Sequence, residues 1–216
     1  MLNENKKTAR LAGLWWLLFI LIGPISYLVV DRKLLVPGNA VTTLSNINSN
    51  MALFWAGAAA FLAGYVCFIL LAKVLCKLFR PIDSKLTKWI MGLVIAGAVL
   101  IFIGKIAEIA AAYVGNEKDA ACLLNLRTNI EMAGELFWGL WLIPLVILIF
   151  KSNLIPKVIG GVLILTIVYH LAAFGMFFIN GTDVSTNPVL AIFGMGELVM
   201  TLWLLIKGVK KENIQI

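Results

Sequence analysis

The sequence predicts an all-α protein whose helices form a bundle that crosses a membrane several times. Of its 216 residues, 62% are hydrophobic and only 13% are charged. A soluble domain is typically about 45–50% apolar and about 25% charged. The apolar residues are concentrated in runs of about 20, the length at which a helix spans the hydrocarbon core of a bilayer. We therefore expect a single polytopic membrane domain, residues 1–216.

Six apolar runs are the predicted transmembrane helices, at about 11–30, 51–72, 89–114, 129–150, 158–179 and 189–206. Basic residues precede the first run, but no small-residue cleavage site follows it, so we expect an uncleaved first span. Gly23-Pro24 predicts a kink in this span, because proline lacks a backbone donor and clashes with the preceding turn.

The first connecting segment contains a turn and a predicted short helix. Pro37-Gly38 is a turn signal. Asn39 is suited to cap an amphipathic helix that carries Val41, Leu44 and Ile47 at i, i+3 spacing. A second segment, 115–128, is rich in charge and is expected to be a polar loop.

The net charge of +7 arises from lysine and arginine in the short segments between spans. The N-terminus, loops 73–88 and 151–157 and the C-terminal tail carry 13 of them, and the opposite loops carry four. This asymmetry predicts that both termini lie in the cytoplasm. The cations therefore indicate a lipid bilayer as partner, and we expect no nucleic-acid partner, since no basic-aromatic platform accompanies them.

The chain also contains two similar segments of nine residues. Gly134-Glu135-Leu136-Phe137-Trp138-Gly139-Leu140-Trp141-Leu142 matches 196–204 at six of nine positions. The starts of the third and fifth spans are also similar, so spans 3–4 and 5–6 are a candidate duplication of one helical hairpin. The alternative is convergence between leucine-rich helices.

Six ionisable side chains fall inside four of the predicted spans, where an isolated charge costs about 2.5–3.5 kcal/mol on insertion scales. With the predicted orientation, all six lie in the outer half of the bundle. They are Lys105, Glu108, Glu131, Glu135, His170 and Glu197. We therefore predict one shared polar pocket that opens outward. Because four carboxylates face one ammonium, we expect Glu135 or Glu197 to be protonated at neutral pH, or the cavity to hold a cation.

Each of these residues also has a purely structural interpretation. Lys105 and Glu108 are suited to an interhelix ion pair, and Glu131 to a hydrated position at the mouth. His170 is suited to a neutral hydrogen bond in the core. Glu135 and Glu197 are harder to explain in this way, although bonding between helices remains an alternative.

Three functions remain open from the sequence. The first is binding or transport of a cation, a proton or an amphiphilic small molecule in the pocket, and a homo-oligomer would supply more spans for transport. The second is a metal-assisted intramembrane lipid hydrolase with Glu135, His170 and Glu197 as ligands of a divalent metal. The third is a structural or accessory subunit. No cofactor is otherwise predicted, and the absence of catalytic motifs favours a non-enzymatic role.

Several short motifs are distributed over nearly the whole chain. They are Arg10-Leu11-Ala12-Gly13, Val36-Pro37-Gly38-Asn39-Ala40, Leu78-Phe79-Arg80-Pro81, Gly134-Glu135, Ile155-Pro156-Lys157-Val158-Ile159-Gly160, and Gly196-Glu197-Leu198 with Leu202-Trp203-Leu204. In these motifs the chain resembles a family of bacterial membrane proteins, domain of unknown function 4386. Where the family pattern usually has Asp after Pro-Gly, this chain has Asn39. The resemblance implies a six-span protein of the bacterial cytoplasmic membrane with an uncharacterised activity, and it supplies no catalytic residues.

Overall fold

A computed structural model describes residues 2–182 and 188–210, and this part of the chain is helical with no strand. The helices are α1 (Leu2–Pro24), a π-helix (Ile25–Asp31), α2 (Arg32–Leu34), α3 (Ala40–Ser49), α4 (Met51–Phe79), α5 (Ser84–Ala111), α6 (Glu117–Lys151), α7 (Lys157–Asn180), α8 (Pro188–Gly194) and α9 (Gly196–Ile206).

The predicted fold class is confirmed: the chain is an all-α membrane bundle. Within the described residues, five helical segments are long and apolar enough to cross a membrane, and a shorter apolar segment follows. The five are Glu4–Leu34, Met51–Phe79, Ser84–Ala111, Glu117–Lys151 and Lys157–Asn180, and the shorter one is Ile192–Ile206. Helix α1 packs against α4 and α9, α5 against α6, and α6 against α7.

The helix type changes at the predicted kink. The α-helical pattern of α1 ends at Pro24, and the chain continues as the π-helix Ile25–Asp31. Proline cannot donate the hydrogen bond of a regular α-helical turn, so a change in winding at this point is expected. The wider turn carries Asp31 into the bundle, where the residue is only 9% exposed.

The predicted short helix in the first connection is present as α3. The Asn39 side chain accepts a hydrogen bond of 2.9 Å from the Thr42 backbone N–H, which caps the helix as expected. Ile47 is fully buried in a cluster with Val30 and Phe54, so α3 folds back onto the bundle. Of the three apolar residues expected on one face, Val41 is half exposed.

Helix α6 begins earlier than the sequence indicates. The segment 115–128 was expected to be a loop, but the helix starts at Glu117. The Asn116 side chain accepts a hydrogen bond from the Asp119 N–H, and acidic residues in the first turn favour the helix dipole. Consequently Arg127 lies in the helix, and it is 8% exposed.

The last predicted span, 189–206, is divided into α8 and α9 with a break at Met195. A Cβ atom on Gly196 would lie 2.2 Å from the Thr166 Oγ1 atom, so this backbone requires glycine to approach α7. The Thr166 hydroxyl donates a 2.9 Å hydrogen bond to the Phe193 carbonyl. A side chain of α7 therefore satisfies a backbone group that the break would leave without a helical partner.

Candidate functional site

A buried ion network lies at the end of the bundle opposite the N-terminus. Its centre is Arg127 on α6. The guanidinium donates from Nε to Glu108 Oε2 at 2.6 Å and from Nη2 to Asp31 Oδ2 at 2.5 Å. The Nη2 atom is also 2.8 Å from Glu131 Oε1. One side chain therefore links α6 to α5 and to the end of the π-helix.

Lys105 completes the network from α5. Its Nζ atom donates to both carboxylate oxygens of Glu108 at 2.8 Å and is 3.8 Å from Asp31 Oδ1. It also lies 5.0 Å from the centre of the Phe61 ring, within the range of a cation–π interaction. The network thus holds three carboxylates and two cations. With all groups ionised, it carries one excess negative charge.

A pocket with a volume of about 480 Å³ opens directly above this network. Asp31, Arg127 and Glu131 form its charged floor, and the exposed Arg32 also lines it. Its walls come from the π-helix, the turn before α3, and the N-terminal half of α6, and they mix apolar and polar groups. They include Leu35, Val36, Pro37, Thr43, Leu124, Asn125 and Met132. The Glu131 side chain is 25% exposed, more than that of Asp31 at 11% or Arg127 at 9%, so Glu131 is the accessible carboxylate of the floor.

Residues 36–40, the VPGNA motif, form part of the wall of this pocket. Gly38 has a positive φ of 73°, which glycine adopts without the cost that a side chain would add. Asn39 then caps α3, and Thr43 on the next turn receives a 2.9 Å hydrogen bond from the Val36 N–H. The motif therefore fixes the path of the chain around the opening.

A second cluster lies around His170 on α7. The His170 Nδ1 and Glu135 Oε2 atoms are 2.6 Å apart. Glu197, in the first turn of α9, accepts a 3.0 Å hydrogen bond from Trp16 Nε1 through Oε2. Glu197 lies near enough to His170 and Glu135 for their charges to act on it. The glutamates of the two similar segments are therefore neighbours of one histidine, but among the described residues only Glu135 forms a hydrogen bond with its ring. Glu135 is within a continuous helix and Glu197 follows a break.

Two buried polar atoms of this second cluster form no hydrogen bond of ordinary geometry within the described residues, although the Trp138 side chain also approaches Glu197. They are His170 Nε2 and Glu197 Oε1. Because Glu135 occupies Nδ1, the free ring nitrogen is the one that a ligand would use, and Glu197 Oε1 is the corresponding carboxylate atom. Within residues 2–182 and 188–210, no three or more His, Cys, Asp and Glu side chains are grouped so as to hold a metal ion.

The six residues singled out in the sequence are divided between the two clusters. Lys105, Glu108 and Glu131 belong to the ion network, and the second cluster contains Glu135, His170 and Glu197. The centre of the buried Tyr65 ring is 4.8 Å from that of Phe61, over which Lys105 lies, and 6.3 Å from that of Trp138. The Trp138 ring is in turn 6.5 Å from that of His170, so Tyr65 lies between the clusters. The shared pocket expected from the sequence is thus an arrangement of two neighbouring clusters, and only the ion network borders the large opening.

Sequence reasoning missed two members of the network, Asp31 and Arg127, which it placed in loops. A signal existed for each. Arg127 precedes Glu131 by four residues, the spacing of an ion pair on one helix face. Asp31 ends an apolar run directly after a predicted kink. Trp16 is likewise fully buried and donates a hydrogen bond to Glu197, a contact that the sequence pattern does not indicate.

A family model described as Domain of unknown function (DUF4386) matches residues 11–208. No curated protein and no solved structure matches the chain. The matched range includes every residue of both clusters and the VPGNA motif. Since the match covers nearly the whole sequence, the chain belongs to the DUF4386 family.

Proposed function

We propose that the protein is a multi-pass protein of the bacterial cytoplasmic membrane that binds an amphiphilic small-molecule cation in the pocket above the ion network. The observation that carries the proposal is the excess of carboxylate in the ion network beneath the pocket. With all groups ionised, three carboxylates face two cations, and two of the carboxylates, Asp31 and Glu131, line the pocket itself. A bound cation would neutralise this excess in a setting where water screens charges poorly.

The dimensions and the walls of the pocket support the same ligand class. A volume of about 480 Å³ falls within the roughly 300–1,000 Å³ of small-molecule sites. Glu131 is the carboxylate that a cation entering from the opening meets first, because it is the most exposed. Apolar side chains such as Leu35, Leu124 and Met132 would contact the hydrocarbon part of the ligand.

The distribution of cations supports an orientation in which the pocket opens to the outside of the cell. Thirteen lysines and arginines lie in the segments on the side of the termini, against four on the pocket side. Both termini would then be cytoplasmic, and the role would be binding or transport. Reporter fusions to each end of the chain and to the 112–116 connection test this orientation.

Binding is tested by calorimetry with purified protein in nanodiscs and three ligands of equal chain length: hexyltrimethylammonium, hexyl sulfate and hexanol. We expect the cation to bind most tightly. Glu131→Gln should weaken its binding about tenfold, which corresponds to about 1.4 kcal/mol. Glu117→Gln, at an exposed position of the same helix, is the matched control. Equal affinity for the sulfate, or an equal effect of the two substitutions, would contradict the proposal.

A metal-assisted hydrolase remains the second candidate, and one observation favours it. A carboxylate on one ring nitrogen of a histidine is the usual arrangement behind a metal-binding histidine, and Glu135 takes this place on His170. His170 Nε2 and Glu197 Oε1 would then be the available ligand atoms. Elemental analysis of the wild type beside Glu135→Gln/Glu197→Gln tests it. A stoichiometric divalent metal that is lost in the variant would favour hydrolysis, and collapse of a metal-free variant would favour a structural role.

A further inference from the structure

Helices α4 and α5 form an antiparallel hairpin at the end of the bundle that carries the N-terminus. A connection of four residues, 80–83, joins them. The Cys76 thiol donates a 3.1 Å hydrogen bond to the Thr87 carbonyl across the hairpin. This contact identifies the line along which the two helices face each other, and the positions of other side chains follow from the helical rotation.

Four basic residues lie on the same side of this hairpin. At about 100° per residue, Lys73, Lys77 and Arg80 lie about 40–100° around α4 from Cys76. Lys88 lies about 100° around α5 from Thr87. The sense of rotation is opposite in antiparallel helices seen from one end, so these positions face the same way. All four side chains are exposed. We call them the basic ridge.

An apolar surface continues from the basic ridge towards the middle of the bundle. Leu62 and Val66 lie about 40–80° from Cys76 on α4, and Ile95 and Val99 about 80–120° from Thr87 on α5. Their exposed fractions are 52%, 47%, 47% and 55%. These four residues, the apolar stripe, share the face of the basic ridge. One side of the hairpin therefore presents cations at its end and hydrocarbon below them.

The charges of the basic ridge are not neutralised by the described part of the protein, in which no acidic side chain forms an ion pair with any of the four. Asp83, the acidic residue of the connection, is 2.8 Å from Lys151 Nζ on α6. Any anionic group that contacts the ridge closely therefore comes from outside the described chain. Basic clusters at the ends of membrane helices commonly bind anionic lipid headgroups.

We propose that this face is a binding site for an anionic glycerophospholipid. Its phosphate would contact the basic ridge, and its acyl chains would lie along the apolar stripe. The assignment differs from the pocket proposed for the amphiphilic cation in its location at the opposite end of the bundle, in its charge and in its ligand.

Native mass spectrometry of the delipidated protein with added phosphatidylglycerol or phosphatidylcholine, both dioleoyl, tests the site. We expect one phosphatidylglycerol to bind at least about tenfold more tightly than phosphatidylcholine. Each cation near a headgroup contributes roughly fivefold. The variant Lys73→Gln/Lys77→Gln/Arg80→Gln/Lys88→Gln should therefore lose the preference. Replacing the three ridge lysines by arginine should keep it, which separates loss of charge from loss of fold.

The matched control removes four other exposed cations from the same end of the bundle, in Lys7→Gln/Lys157→Gln/Lys207→Gln/Lys210→Gln. It should retain the preference, because all four lie outside the hairpin. Equal binding of the two lipids by the wild type would overturn the proposal. An equal loss in the ridge and control variants would also overturn it, since it would show a general surface potential without a site.

Discussion

Replacing Arg127 by methionine tests whether the ion network holds the bundle together at the floor of the pocket. Arg127 is 8% exposed and lies 2.5–2.8 Å from carboxylate oxygens of three different residues. Methionine retains much of the length and the apolar stem of arginine. The substitution therefore removes the charge and its hydrogen bonds with little change in packing.

The expected loss of stability follows from the charges that remain after the substitution. Without the guanidinium, Lys105 alone would face three carboxylates, and its Nζ atom is close to Glu108 but 3.8 Å from Asp31. Removing one partner of a buried ion pair typically costs about 3–5 kcal/mol, because the other charge is left uncompensated. We expect Arg127→Met to lower the free energy of unfolding by this amount. The double variant Arg127→Met/Glu131→Met should lose less, because one carboxylate leaves with the guanidinium.

The measurement is equilibrium unfolding in mixed detergent–SDS micelles, followed by circular dichroism. Lys118→Met, at an exposed position in the first turn of α6, is the control and should stay within about 0.5 kcal/mol of the wild type. An Arg127→Met protein as stable as the control would refute the conclusion that this guanidinium neutralises the buried carboxylates. A double variant less stable than the single one would refute the charge-balance argument.

Two further predictions concern the rest of the fold. Gly196→Ala should destabilise the protein by about 1–3 kcal/mol, since the new Cβ would lie 2.2 Å from the Thr166 Oγ1 atom. Gly92→Ala, with no atom within 4 Å of the new Cβ, should be neutral or stabilising when unfolding is measured in the same micelles. The hydrogen bond from Lys151 lowers the pKa of Asp83 below its ordinary value. The stabilising contribution of Asp83 should therefore be complete above that ordinary value and disappear as the pH falls through the lowered pKa, and thermal unfolding of Asp83→Asn should lack this acid-range dependence.

The sequence was sufficient for the features that arise from local patterns. The apolar runs predicted the long helices, and Asn39 predicted the start of α3, whose cap the structure contains. The carboxylates within the spans identified the residues that need partners, because hydrocarbon offers none. These predictions succeeded because hydropathy and capping depend on residues close together in the chain.

The membership of the ion network depends on contacts between distant segments, and local patterns do not contain it. Asp31 and Arg127 are 96 residues apart. Because a charged residue lowers the mean hydropathy of the window that contains it, both were placed outside the predicted spans. Burial of Arg127 becomes favourable only when three carboxylates from three helical segments surround it. The break at Met195 was missed for a similar reason, since the hydroxyl that accommodates it belongs to Thr166 on α7.

The position of the ion network ties the fold of this end of the bundle to the proposed binding site. Glu131 is the carboxylate that a cationic ligand would reach, yet it is already 2.8 Å from Arg127. A ligand must therefore share or displace part of that interaction, and the guanidinium retains Glu108 and Asp31 as partners if it does so. Because Asp31 ends the π-helix, a change in the position of Arg127 would be transmitted to the segment that forms the pocket wall. The network can thus both stabilise the bundle and respond to a ligand, and the structural and binding roles of its residues do not exclude each other.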